Sequence, residues 1–355
     1  MDHQISPIEE VTSEDIRLAW QEGKNVPLWA RLRLVADHFG VSPAEVVASG
    51  CGKGVARLCG DWRDLLLSLQ RNRLLDLAVG QGNSVMRVTT MLDTLSVLNE
   101  KIWLEENACG MTVDARRIQS GFAALEHDHS GQRDVFYFFD LQGEPVLIIY
   151  ASAGNQRLYH SLLPGFIHPV QKSSQKIVLS IKKAFVSEEL PLDLDHLKLQ
   201  WAILRDWKDI PGLIHHYGIS YDMVLHRLGQ PLARRVPPGS LRLLLEVGDD
   251  HMLPFWFCLR GAGSTLSWEG DVTVKSTSAC RINVDGNGLQ MDLDEGEIDH
   301  AWLVELPGSK LPPLVEFFGA RGRHLLSLSI HPRSERQNQR TWREILEALA
   351  SSEWF

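Results

Sequence analysis

The sequence predicts an α+β protein built as a tandem duplication of one domain, in which a large antiparallel sheet carries helices on one face. Residues 135–152, VFYFFDLQGEPVLIIYAS, have the composition of two buried strands joined by a tight turn. Residues 314–331, LVEFFGARGRHLLSLSIH, repeat this pattern, and Phe317 follows Phe138 by 179 residues (317 − 138). Residues 216–220 repeat residues 38–42 at an offset of 178 (216 − 38). Offsets close to half of the 355-residue chain indicate a duplicated domain, because solenoid repeats are only about 20–50 residues long.

Helix patterns come first in the N-terminal copy, and strand patterns follow. Residues 27–39 carry apolar side chains at helical spacing, and Gly40 suits a helix C-terminus. Ser42 and Pro43 are typical of an N-cap and a first helical residue, so a second helix begins there. A third helix over residues 61–70, the hairpin and a closing helix at 162–163 complete an α+β order. The strand patterns occupy residues 74–79, 85–90, 95–98, 101–104, 111–113 and 121–125.

The C-terminal copy shows the same order. Its third helix is shortened to residues 240–247 by Pro237-Pro238-Gly239, its first strand contains residues 255–257, and a helix around residues 345–346 closes it. We therefore expect a polar lead-in over residues 1–25, a first copy over 26–165, a linker over 166–199 and a second copy over 200–355. The linker contains several prolines and lysines, and two elements are expected inside it, at residues 176–184 and 194–203.

Composition narrows the classes of function. The chain has 36 basic and 45 acidic side chains, and a net charge of −9 disfavours broad binding to nucleic acids or anionic membranes. No run of 18 apolar residues occurs, so no membrane span is expected. The N-terminal sequence MDHQISPIEEVTSED lacks the apolar core of a signal peptide, and the five cysteines include no CxxC pair. These features predict a cytoplasmic chain with reduced thiols and no structural zinc.

The chain resembles the HemS/ChuS-type hemin-degrading factors, a family of cytoplasmic heme-handling proteins built as tandem duplications of a helix-plus-antiparallel-sheet domain. The resemblance covers residues 25–350. It implies heme utilisation and iron transport as the biological setting, heme as the cofactor, and a heme oxygenase or a heme importer component as a partner. The segments that carry it are Val85-Met86, Val113-Asp114-Ala115-Arg116 before Gly121-Phe122, the FFD-x-x-G hairpin, Gln200-Trp201-Ala202 with Arg205-Asp206, and Trp342-Arg343-Glu344-Ile345-Leu346.

The family's heme-binding positions differ in this sequence. In the family, a histidine in a D-x-H motif at the start of the second copy ligates the heme iron, and here the motif reads Asp206-Trp207-Lys208. The family also has a distal arginine after V-M-x-x-T, where this chain has Thr90. The resemblance implies two cations near the heme, Lys275 in the second sheet and Arg333 near the C-terminus.

A heme site also needs an apolar slot and at least one iron ligand. The aromatic residues Phe255, Trp256 and Phe257, or Trp207, are candidates for the slot, although aromatic residues in a strand more often belong to a core. The candidate iron ligands are Lys208 and His215. An amine binds iron only in its neutral form, which requires strong burial. His215 lies seven residues beyond Lys208, on the same helix face if the helix runs through Pro211.

Three functions remain open from the sequence. The first is a cytoplasmic heme-binding protein that holds heme and passes it on. The second is a heme-degrading enzyme that opens the porphyrin with oxygen and a reductant, although the ligand histidine and the distal arginine of the family are absent. The third is a degenerate family member that does not bind heme and acts through protein contacts.

Overall fold

A computed structural model of the chain describes residues 11–71, 74–128, 131–151, 164–173, 193–276, 278 and 280–351. The expected closing helix at residues 162–163 and the expected linker element at residues 176–184 lie outside this part. The N-terminal half contains α1 (Ser13–Glu22), α2 (Leu28–Phe39), α3 (Pro43–Ala48), β1 (Val55–Leu58), α4 (Trp62–Ser68), β2 (Leu75–Gln81), β3 (Ser84–Thr90), β4 (Ser96–Leu98), β5 (Lys101–Glu106), β6 (Cys109–Asp114), β7 (Ser120–Asp128), β8 (Gly131–Phe139) and β9 (Pro145–Ala151).

The C-terminal half repeats this order. It contains α5 (Leu194–Ile203), α6 (Ile210–Tyr217), α7 (Tyr221–Leu228), β10 (Ala233–Val236), α8 (Ser240–Asp250), β11 (Phe255–Arg260), β12 (Ser264–Gly270), β13 (Val272–Ser276), β14 (Arg281–Gly286), β15 (Leu289–Asp294), β16 (His300–Val304), β17 (Leu314–Gly319), β18 (Arg323–Ile330) and α9 (Arg336–Ala350).

The element-by-element match confirms the predicted α+β duplication. The hairpins β8–β9 and β17–β18 even share an irregularity, because each has a register shift directly after the equivalent residues Phe138 and Phe317. Their turns contain Gly143 at φ 76° and Gly322 at φ 69°. Positive φ values favour glycine, which explains why the sequence repeat includes these two residues.

The two halves exchange strands to form two nine-stranded antiparallel sheets within the described residues. The first sheet has the order β1-β7-β8-β9-β2-β3-β15-β14-β13, and the second has the order β10-β16-β17-β18-β11-β12-β6-β5-β4. Each half therefore contributes six strands to one sheet and three to the other. The sequence patterns predict a large antiparallel sheet for each copy, but not that each sheet takes three strands from the other half, because local patterns do not specify partners far along the chain.

The two sheets pack face to face around one apolar core. Residues such as Leu77 and Phe136 of the first sheet share this core with Phe257 and Leu328 of the second. The outward face of the first sheet is covered in part by α1–α3, and that of the second sheet by α5–α7. The remaining helices, α4, α8 and α9, contribute to the shared core instead, so not every helix lies on an outward face.

The structure also extends both halves at their N-termini. Residues 13–22, expected in a polar lead-in, form α1, which has a capping box between Thr12 and Asp15 and buries Ile16 and Trp20. Its counterpart α5 confirms the element expected at residues 194–203 and buries Trp201. Helix α5 thus packs with the second half rather than forming a linker.

The chemical expectations from composition concern thiols and membranes. The cysteines Cys51, Cys59, Cys109, Cys258 and Cys280 are all free thiols. Burial raises the pKa of the Cys109 thiol to about 12. In the part of the chain that the structure describes, no helix is long and apolar enough to cross a membrane.

Candidate ligand-binding cleft

Part of the outward face of the second sheet is accessible to solvent. It lies next to the strands that are covered by α5–α7. The inward residues of β12, β6 and β5 are buried in the shared core, whereas the outward residues are partly or fully exposed. We call the outward face of these three strands the open strip. Its residues are Thr265, Ser267 and Glu269 on β12, Gly110 and Thr112 on β6, and Lys101, Trp103 and Glu105 on β5.

The middle of the open strip is lined by small residues. Ser267 lies across from Gly110, and Gly110 lies across from Glu105. The hydroxyl of Ser267 donates to the carbonyl of Gly110 at 3.2 Å, and a Cβ added to Gly110 would lie only 2.6 Å from that hydroxyl oxygen. The floor between β12 and β5 is therefore backbone and one hydroxyl, over two strand spacings of about 10 Å.

Lys208 reaches across this floor from the helical layer. It lies in the 3-10 turn Trp207–Asp209, whose start is capped by Asp206. Its Nζ lies 2.6 Å from Oε1 of Glu105, and the hydrogen bond lowers the pKa of the Glu105 carboxyl. The two side chains are 71% and 81% exposed. The ion pair thus lies over the floor as a solvent-exposed roof of the cleft. Because it is exposed, the contact between Lys208 and Glu105 can break at little free-energy cost.

Aromatic side chains stand on both sides of the floor. Trp207 packs against Trp256, the outward residue of β11, with ring centroids 4.6 Å apart. This contact fixes the turn that carries Lys208 over the sheet. On the other side, Trp103 is 43% exposed, and the ammonium of Lys101 lies 5.8 Å from its ring centroid. The strands β11 and β5 are three spacings apart, about 14 Å.

His331 and Glu269 form the end of the cleft near β18. Nε2 of His331 lies 2.9 Å from Oε1 of Glu269, and the backbone N–H of Arg333 donates to Nδ1 of His331 at 3.0 Å. Because Nδ1 accepts a hydrogen bond, the neutral ring carries its proton on Nε2 and donates to Glu269. Both ring nitrogens are therefore engaged, and the exposed Arg333 is held beside the strip.

The structure corrects two of the predicted slot residues. Phe255 and Phe257 are 0% exposed and belong to the core between the two sheets. Successive strand residues point to opposite faces, so the residue between them, Trp256, is the one on the cleft side. Phe255 and Phe257 therefore cannot line the cleft.

The expectation that Lys275 lies in the second sheet, near the same heme as Lys208, is wrong as well. Lys275 lies on β13, which strand exchange places at the edge of the first sheet. Its ammonium lies 3.2 Å from Asp285 of the neighbouring strand. The outward faces of the two sheets point away from their common core, so both sheets separate Lys275 from Lys208.

His215 lies in α6, which begins at Ile210 and includes Pro211 in its first turn. A proline is tolerated there because the first helical N–H groups have no partner within the helix. The buried face of α6 contains Ile210 and Leu213, and His215 is exposed on the other side. Lys208, seven residues earlier, lies in the 3-10 turn that precedes α6 and not in α6 itself, so the expected helix face common to both residues is not formed within one helix.

The first sheet has an equivalent strip with different contents. The row Arg87–Gln290–Asp285 matches the row Ser267–Gly110–Glu105 with an offset of 180 residues at each position (267 − 87, 290 − 110, 285 − 105). The guanidinium of Arg87 donates to the side-chain oxygen of Gln290, and these two long side chains occupy the floor. The position of Trp103 is occupied by Asn283.

Sequence reasoning missed Trp103, Glu105 and Gly110 as site residues. All three lie in the first half of the chain, and only the strand exchange brings them beside Lys208. One local signal is present: the alternation in KIWLEE places Trp103 on the same side as Lys101 and Glu105, which is an unusual place for a large aromatic residue.

No family model matches the chain, and no curated protein matches it significantly. Among solved structures, holo-PhuS, a heme-binding protein from Pseudomonas aeruginosa, has a TM-score of 0.82 at 22% identity, over 96% of this chain and 99% of its own. The heme degrading enzyme ChuS from Escherichia coli O157:H7 has a TM-score of 0.79 at 19% identity, over 95% and 99%. Another ChuS structure, described as an E. coli heme oxygenase, has a TM-score of 0.77 at 20% identity, over 94% and 99%. Over nearly its whole length, the chain has the fold of the HemS/ChuS-type proteins that its sequence resembles.

Proposed function

We propose that the chain is a cytoplasmic heme-binding protein that holds heme in the cleft beneath Lys208 and passes it on. The observation that carries the proposal is the cleared floor of the open strip. Of two equivalent strips, one is filled by long side chains, and the other is lined by Ser267 and Gly110 and roofed from the helical layer. The solved structures with this fold include a heme-binding protein, which supports heme as the occupant.

The residues of the cleft fit a heme group in shape and charge. Aromatic side chains flank the floor, as a flat apolar ring requires. The cations Lys208 and Lys101 flank the floor and suit two propionates, and Arg333, whose backbone N–H binds His331, is a further candidate. Lys208 is 71% exposed, so the burial that a neutral amine ligand requires is absent, and we assign Lys208 to a propionate rather than to iron. His215 remains our candidate iron ligand.

A heme-degrading enzyme differs from a carrier in that it needs polar groups that orient bound oxygen. The family's distal arginine position holds Thr90, which is buried and whose hydroxyl donates to the carbonyl of Met91 at 3.3 Å. The side chain that reaches the roof from the first half is Glu105, a carboxylate. These contacts favour a carrier that delivers heme to a partner such as a heme oxygenase or an importer component.

Hemin titration tests the proposal and separates the three functions. We expect a stable Soret shift with one hemin per chain and no loss of absorbance when ascorbate is added in air. Bleaching by ascorbate would favour the degrading enzyme instead. The absence of any Soret shift would contradict heme binding and leave the degenerate member that acts through protein contacts.

Substitution at position 208 tests the site. We expect Lys208→Ala to weaken hemin binding and Lys208→His to tighten it markedly, because an imidazole at this position restores the ligand type of the family motif. Lys275→Ala is the matched control, since Lys275 forms its ion pair on the other sheet, and it should bind like the parent. Parent-like binding by both Lys208 variants would place Lys208 outside the site.

A further inference from the structure

We infer that Trp103 is the ring-stacking wall of this cleft, supplied to the second half's site by the first half through strand exchange. The inference rests on the proposed function and specifies a contact within it. The ligand class that it implies is a flat conjugated macrocycle with carboxylates at its periphery.

The exposure of Trp103 is the first observation. A tryptophan that is 43% exposed on a sheet face leaves a large apolar surface in water, which folding alone does not favour. Its cross-strand neighbours are Ser96 on β4 and Thr112 on β6. Neither has a side chain large enough to cover an indole ring, so part of the ring is accessible to a ligand.

The internal duplication provides the second observation. The equivalent position in the first sheet is Asn283, a polar residue that is only partly exposed. The two strips share their backbone rows, so the fold itself does not require an aromatic residue at this place. Trp103 occurs only in the strip whose floor is also cleared of long side chains, by Gly110 and Ser267.

The charge around Trp103 indicates the rest of the ligand. The ammonium of Lys101 lies 5.8 Å from the ring centroid, and Lys208 ends across the floor at Glu105. A ligand stacked on Trp103 would therefore place its edges next to two ammonium groups. Carboxylates at the edge of a flat ring match this arrangement.

The experiment compares three variants with two ligands. Trp103→Leu keeps an apolar side chain but removes the ring, Trp103→Phe keeps a ring, and Asn283→Leu changes the equivalent position of the first sheet. Each is titrated with hemin and with metal-free protoporphyrin, which has the same ring and carboxylates without iron. Thermal unfolding of each variant serves as the folding control, and it should match the parent because Trp103 is well exposed.

We expect Trp103→Leu to weaken binding of both ligands about tenfold, because a leucine side chain cannot stack on the macrocycle as the indole ring does. Trp103→Phe should recover most of the affinity, and Asn283→Leu should bind like the parent. Equal affinities of Trp103→Leu and the parent would overturn the inference while hemin binding, and with it the proposed function, still stands. Weaker binding of hemin alone would also overturn stacking, because it would indicate an interaction that depends on iron.

A different result would contradict heme binding but not the stacking role of Trp103. If the parent binds protoporphyrin in a Trp103-dependent way but does not shift the Soret band of hemin, heme binding fails and the stacking wall stands. If the parent binds neither macrocycle, both proposals fail.

Discussion

The open strip of the second sheet and its counterpart in the first sheet have equivalent backbone rows but different side chains on their outward faces. In the first sheet, Arg87 and Gln290 extend over the floor and contact each other. In the second sheet, the same two positions hold Ser267 and Gly110. Because the two strips share their backbone rows, their side chains can be compared position by position within one molecule.

The ion pairs of the two strips differ in the same way. Asp285 and Glu105 occupy equivalent positions, and each contacts a lysine. Lys275 comes from the adjacent edge strand, so its pair with Asp285 lies within the sheet. Lys208 comes from the helical layer, so its pair with Glu105 passes over the floor. The second arrangement connects the helical layer to the sheet across the floor, which favours the second strip as the ligand-binding one.

The largest effect is expected from filling the cleared strip with the residue of its counterpart. Ser267→Arg should lower hemin affinity by more than about tenfold, because the long side chain occupies the floor as Arg87 does in the first sheet. The measurement is a hemin titration followed by the Soret band. Retained affinity in this variant would show that hemin binds elsewhere.

The matched control clears the filled strip. Arg87→Ser removes the side chain that contacts Gln290 and should leave hemin affinity at the parent value. A second hemin per chain in this variant would show that small floor residues alone create a site, without the roof of Lys208 and Glu105.

A buried carboxylate under each helical layer provides a second comparison. Glu126 in the first half accepts hydrogen bonds from Arg31, Trp20 and Tyr137 at 2.9, 3.2 and 3.0 Å. A permanent cation thus balances its charge. In the second half the buried carboxylate is Glu316, and its partners include a residue that titrates near neutral pH.

Glu316 accepts a hydrogen bond from the Tyr221 hydroxyl at 2.9 Å and lies 2.6 Å from Nε2 of His324. Burial lowers the pKa of His324 below its ordinary value of 6.5. Burial opposes the ionisation of Glu316, but interactions led by His324 outweigh it and lower the pKa of Glu316 below 4.5. At neutral pH, a neutral imidazole therefore donates to an ionised carboxylate.

This pair should make the second half sensitive to acid. As the pH falls below 6.5, the unfolded chain binds a proton at His324 that the folded chain does not, so the free energy of unfolding decreases. The slope contributed by His324 is at most about 1.4 kcal/mol per pH unit. Glu316 adds a further decrease below 4.5, again because its folded pKa is the lower one.

Replacing the imidazole by an amide removes the first of these contributions. His324→Gln keeps a donor for Glu316 but does not titrate, so the free energy of unfolding should depend less on pH between about 7 and 5. Urea unfolding at several pH values measures this. His38→Gln, at an exposed position of the first half, is the control and should keep the parent's slope; an equal slope in His324→Gln would contradict the assignment.

Local features of this fold could be predicted from the sequence, and long-range pairings could not. The starts of α2, α3 and α8 and the end of α2 follow from caps and prolines that act within a few residues, whereas α8 continues to Asp250, three residues beyond its predicted end. The strand segments follow from composition and alternation. Nothing local states that β6 pairs with β12, although 157 residues separate Gly110 from Ser267 (267 − 110). The exchanged topology therefore appears only in three dimensions.

The same lack of information about long-range strand pairing explains why some predicted site residues lie near Lys208 and others do not. The family resemblance singles out Lys208 through the short segment Asp206-Trp207-Lys208. Its partner Glu105 lies 103 residues earlier and gives no signal. Sequence order suggests that Lys275 belongs to the second sheet, and the exchange of β13 reverses that assignment. Phe255 and Phe257 have the right composition for a slot, but strand alternation points them into the core.

The smallest effect concerns the roof itself. Glu105→Gln removes the carboxylate charge that holds Lys208, so the ammonium becomes available to a propionate. Exposed ion pairs are worth up to about 1 kcal/mol, and we therefore expect hemin affinity to rise only about twofold to fivefold. The free energy of unfolding should change by less than about 1 kcal/mol.

Asp285→Asn makes the equivalent change in the first strip and should leave hemin affinity unaltered. Because both partners are exposed, the gain from Glu105→Gln should shrink at high salt. Weaker hemin binding by Glu105→Gln at every salt concentration would show that Glu105 holds the ligand rather than competing with it for Lys208.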